Sequence, residues 1–200
     1  MKTTHNAVQF VLCSLIAGSA ALIQVAAARG DLTAFELAKE GNRYVSEQAK
    51  DQIVQIRSEK SVSSLTPDIW YVVYYDQDAP LKAVEVKFGA GKKMDVKRPA
   101  RLLEPIIKAQ DPLPKDKLKI DSDEAIKIAS KEPLLARLTM KASQLALERR
   151  SATDDTVVWK VRLWAAKLKN PNDNVDIGEV IVSAADGTVL KSDLKPEHVD

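Results

Sequence analysis

The stretch GEVIVSAADGTVL (178–190) decides the fold, because it reads as two short strands joined by a turn. Val180 and Val182 point to one side and Glu179 and Ile181 to the other, the two-residue period of a strand with one buried face. Asp186-Gly187 between the strands is suited to the positive φ angles of a tight β-turn. A similar pattern, AVEVKFGAGKKM (83–94), occurs in the first half of the chain with Ala90-Gly91 at the turn. The two hairpins raise the expectation of a duplication.

Two further blocks repeat in the same order. AFELAKE (34–40) lines up with AIKIASK (125–131), and WYVVYY (70–75) with WKVRLW (159–164). The first block has apolar residues at helical spacing, Ala34, Leu37 and Ala38, continuing to Tyr44 and Val45. Thr33 with Glu36 has the form of a capping box, and Asp121 with Glu124 is a similar start signal. Pro133 closes the second helix early. In TVVWKVRLW (156–164) the alternation sets Trp159, Val161 and Leu163 against Lys160, Arg162 and Trp164. Further strands are expected at 51–58 and 139–148. The fold class expected is α+β, two tandem repeats, each a helix packed on a three- to four-stranded antiparallel sheet. The units span 29–98 and 119–195, with a Pro-rich linker at 99–118, a helical turn within it at 101–108, and a tail at 196–200.

The first 28 residues stand apart from that fold. Lys2 is followed by an uncharged run, 7–28, that closes on Ala26-Ala27-Ala28, the form of a cleaved export signal. The rival reading is a retained membrane anchor, which Gln9, Ser14, Ser19 and Gln24 weaken. Leu12 before Cys13 fits lipoprotein processing poorly. Removal of this segment takes Lys2, His5 and Cys13, leaving His198 as the one histidine and no cysteine. The expected mature protein is exported, periplasmic or secreted, with no disulfide and no membrane span.

Composition narrows the chemistry. The whole chain has 30 basic and 28 acidic residues interspersed, which argues against a one-sided basic surface for nucleic acid. A catalytic triad needs an imidazole beside its nucleophile, and His198 follows Pro196 at the chain end, where ends usually fray. Histidine or cysteine zinc sites lack their ligands, and the 7 scattered glycines form no phosphate loop. No catalytic residue, metal or cofactor is therefore assigned. A carboxylate pair stays open as an enzyme alternative, and a pocket between the units as a ligand-carrier alternative.

DSDEAIKIA (121–129), the alternating strand at 156–164 and GEVIVSAADGTVLKSDL (178–194) together resemble the PepSY repeat family, the second half more closely than the first. The resemblance implies helix-on-sheet units outside the cytoplasm, often regulatory or peptidase-inhibiting, with no catalytic residues to carry over. The surface expected to bind a protein or peptide partner in the cell envelope is the outward sheet face: Tyr71, Tyr75, Lys160, Arg162, Trp164, Glu179 and Ile181. Its rival is burial of that face against the other unit or the linker. NPNDNVD (170–176) reads as a polar hairpin loop before it reads as a calcium site, since it lacks an EF-hand's glycine and closing glutamate. Arg29-Gly30-Asp31 is a chance-level adhesion tripeptide, and KDKLK (115–119) a solvated run.

Overall fold

The structure is a computed structural model that describes residues 32–98, 112–151 and 153–200. The expected signal segment and the helical turn at 101–108 lie outside the described residues. The fold is α+β, with two short helices on one face of an eight-stranded antiparallel sheet. Helix α1 (Ala34–Gly41) precedes strands β1 (Ile53–Ser58), β2 (Ile69–Tyr75), β3 (Ala83–Gly89) and β4 (Lys92–Lys97). Helix α2 (Ser122–Ala129) precedes β5 (Met140–Ser151), β6 (Asp154–Ala166), β7 (Asn174–Ser183) and β8 (Val189–Leu194).

The strand order β4-β3-β2-β1-β5-β6-β7-β8 makes one sheet where separate sheets were expected. The seam is the antiparallel pair β1–β5, with Ile56 opposite Leu147 and Arg57 opposite Ala146. Beyond those pairs, side chains take over the backbone groups: Leu145 N–H donates to Ser58 Oγ (2.9 Å) and Ser143 N–H to Ser61 Oγ (2.8 Å). One core crosses the seam, drawing Leu37, Ile56, Trp70, Val72 and Tyr74 together with Ala125, Leu147, Trp159, Val161 and Val180. These include the residues that alternation places inward, and each is at most 2% exposed.

Both helices are only eight residues long, a length that needs tertiary support. They obtain it where their N-termini meet. Thr33 and Glu36 form the expected capping box, while the Asp121 carboxylate accepts from Ser122 N–H (2.6 Å) and from Phe35 N–H across in α1 (3.1 Å). Ser122 Oγ in turn accepts from Ala34 N–H (3.0 Å). Helix α1 ends at Gly41, so Tyr44 sits in a following 3-10 turn and is exposed, not on a continued apolar stripe.

The hairpin turns reverse the expectation. Ala90 (φ 47°) and Gly91 (φ 71°) are a two-residue turn with both φ positive, the twist that suits a tight hairpin. The β7–β8 connection instead spans 184–188; Gly187 is left-handed (φ 77°) and Asp186 is not. Asp186 contributes by accepting from Thr188 N–H (3.0 Å). The tail does not fray: Pro196–Val199 forms a 3-10 turn, Val199 is buried, and Leu168 N–H donates to its carbonyl (2.7 Å).

Candidate interaction face

The sheet face on which no helix of the described residues packs carries the residues that alternation turns outward. The strand register sets one row across it: Lys87, Tyr71, Arg57, Ala146, Lys160, Ile181 and Lys191 on successive strands. Arg162 stands opposite Glu179, one step along. Tyr71 and Lys160 are three strands apart, roughly 14 Å at the usual strand spacing. Trp164 lies further along β6, opposite Asp176. Tyr75 is set apart from this group and packs with Val54, Val73 and Ala83 in a small cluster of its own, in which Val73 is buried despite its outward register.

Each central ring is flanked by two cations. The Tyr71 ring has the Arg57 guanidinium 4.2 Å and the Lys87 ammonium 5.0 Å from its centroid. Trp164 has the Lys60 ammonium at 4.6 Å and the Arg162 guanidinium at 5.9 Å. Such contacts favour a defined ring position, more so where water is partly excluded. Arg57, Lys87, Lys160 and Arg162 also have acidic partners that the sequence alone did not reveal. Arg57 pairs with Glu85, Lys87 with Glu59, and Lys160 with Glu148. Arg162 Nε donates to Asp176 Oδ2 (2.6 Å). The Tyr71 hydroxyl donates to Glu59, and that bond, ahead of Lys87, lowers the Glu59 pKa. Gln55 Nε2 donates to Glu148 Oε2 (2.6 Å), leaving Gln55 Oε1 buried without a partner.

Asp176 reaches this face through a β-bulge. Leu163 pairs with Gly178 and Trp164 with Asp176, so Ile177 is the extra residue; it turns into the core while Asp176 turns out. A lone glycine in a strand pattern was the available signal for that bulge. The bulge also commits Asp176, the last acid of the polar 170–176 segment, to Arg162 and to Gly178 N–H (2.9 Å). Among the described residues no group of three or more His, Cys, Asp or Glu is arranged to hold a metal ion, and no helix is long and apolar enough to cross a membrane. Charges of both signs balance across the face, so the arrangement offers ordered rings and fixed hydrogen-bonding groups and lacks a strong net potential.

Fold and face define the class: an open antiparallel sheet covered by helices on one side, with a polar-aromatic face on the other. No known protein family, curated protein or solved structure matches the chain.

Proposed function

We propose that the protein is an exported, non-catalytic binding module, built of two tandem PepSY-like units joined edge to edge, whose helix-free sheet face docks a protein or peptide partner in the cell envelope. The observation that carries this reading is the pair of aromatic residues, Tyr71 and Trp164, each held between two cations on the sheet face that no helix of the described residues covers. Rings immobilised before contact lose little entropy on docking, which is what an interface anchor requires. The order helix–four strands, occurring twice, supports the two-unit reading. The uncharged run at 7–28 closing on Ala26-Ala27-Ala28, with the form of an export signal, supports export, and the resemblance makes a peptidase the first partner class to test.

The test places a photo-crosslinking phenylalanine analogue at Tyr71, at Trp164, or at Lys39 and Lys127 on the exposed sides of the helices. The expected outcome in the source cell envelope is one common adduct from the first two positions and none from the helix positions. Tyr71→Ala with Trp164→Ala should abolish capture of that partner while leaving the melting temperature within a few degrees. Adducts from all four positions alike, or a collapse in melting temperature on losing the rings, would make the face structural.

A further inference from the structure

A second surface feature lies where β1 and β5 part company. The segment after β1 (60–65), the start of β5 and the β6–β7 hairpin enclose a cleft of about 680 Å³. That volume is within the range of small-molecule sites. Its polar lining includes Lys60, Lys141, Ser63, Thr139 and Asn172, with Leu65 and Met140 as apolar wall, and among the described residues no carboxylate lines it. The loop is fixed before any ligand arrives: Ser61 Oγ donates to Ser64 C=O (2.6 Å), Ser64 Oγ to Thr66 C=O (2.9 Å) and Ser143 Oγ to Leu65 C=O (2.5 Å). Within it Ser63 holds a left-handed backbone (φ 64°), an arrangement that costs energy unless the surroundings enforce it.

Lys60 differs from the cations of the sheet face. Its ammonium donates to Asn174 Oδ1 (2.6 Å) and lies over Trp164, so its position is set by a neutral amide and a ring, leaving its charge without a carboxylate counterpart. On the sheet face Arg57, Lys87, Lys160 and Arg162 all have carboxylate partners. A cleft lined by two lysines, with hydroxyl and amide groups and no acid among the described residues, is complementary to an anion. The adjoining apolar wall suits a carbon skeleton more than a bare inorganic ion.

We propose that this cleft binds a small organic anion, with its carboxylate or phosphate group held by Lys60 and Lys141 and its carbon skeleton against Leu65 and Met140. Lys60 also steadies Trp164 on the sheet face, whereas Lys141 touches neither ring, so Lys141→Gln tests the cleft apart from the proposed partner.

The test titrates the full chain, at low ionic strength, with sodium succinate, with phenyl phosphate, and with neutral succinamide as control, following backbone amides by NMR. The expected result is saturating shifts confined to 61–65, 139–142 and the 172–174 hairpin, with Kd below about 1 mM for at least one anion and no response to succinamide. The anion that saturates distinguishes a carboxylate from a phosphate preference. Lys60→Gln with Lys141→Gln should weaken binding about tenfold or more, as loss of charge-assisted hydrogen bonds predicts. Both side chains are exposed, and the amide spectrum of the double variant reports directly whether its fold is kept. Lys141→Gln alone, which leaves the Lys60–Trp164 contact in place, should also weaken binding. Three outcomes would overturn the proposal: no saturation by either anion, shifts scattered over lysines around the molecule, or a double variant that titrates like the native protein.

Discussion

Gly178 shows how much one residue without a side chain can direct. Its φ is 109°, and a Cβ added there would lie 2.0 Å from the Asp193 carbonyl oxygen on the neighbouring strand. Neither the backbone angle nor the cross-strand contact admits another residue without movement of the β7–β8 pair. The same position sets the bulge that buries Ile177 and turns Asp176 toward Arg162. Gly178→Ala is therefore expected to destabilise the fold by about 2 kcal/mol or more, from backbone strain and a lost bulge together. Urea unfolding of the purified protein checks this, and a midpoint unchanged from the native one would contradict it. The inward set, Val180, Val182, Trp159 and Val161, was legible because strict alternation needs no knowledge of the partner strand. Asp176 was not legible as the partner of Arg162, since a bulge shifts the parity of every residue on one side of it.

At the scale of elements, the two helices depend on each other's ends. The Asp121 carboxylate lies where both helix N-termini present N–H groups, so it accepts from α2 and α1 together while meeting the positive ends of two helix dipoles. Asp121→Ala should cost roughly 1–2 kcal/mol, the upper part of the range for a single cap, because two helices lose an acceptor. Ser122→Ala should cost about 1 kcal/mol through the unpaired Ala34 N–H. In a double-mutant cycle the two losses should be coupled, since both side chains hold the start of α1. Additive losses would indicate that each acts on its own helix alone. Thr33, in its capping box, and Asp121, as an N-cap, were readable as helix starts, but nothing local in DSDEAIKIA indicates that its aspartate also serves a helix 86 residues away. The strand edges carry their own logic: β4 is exposed throughout and holds Lys92, Lys93 and Lys97, charges that discourage a further strand from pairing there.

The whole molecule is one sheet because the β1–β5 seam joins what local patterning presents as two separate units. The seam rests on two residue pairs and a set of serine hydroxyls, and serine has too many other uses for this one to be read from sequence. The acidic partners of the outward cations were hidden for a related reason: Glu85 and Glu148 become neighbours of Arg57 and Lys160 only once strand register is known. That lattice gives the molecule a pH dependence whose sign is determined. Tyr71 and then Lys87 lower the Glu59 pKa, and Lys115 and then Asn42 lower that of Asp51. Backbone and side-chain hydrogen bonds from Thr156 and Thr188 act in the same direction on Asp154 and Asp186. A carboxylate whose pKa is lower in the folded state adds stability at pH values above its unfolded pKa, about 4 for these side chains, and loses it as pH falls through the folded value. All four act in that one direction. Each contribution is small, because the groups lie near solvent and are screened by salt. The urea midpoint is thus expected to be level between about pH 7 and pH 5 as far as these groups are concerned, and to fall progressively below about pH 4. Glu59→Gln should make that acid fall shallower while leaving the face's rings in place. A midpoint that holds or rises on acidification, or a Glu59→Gln variant with the native acid slope, would show that these carboxylates do not stabilise the fold through their ionised forms.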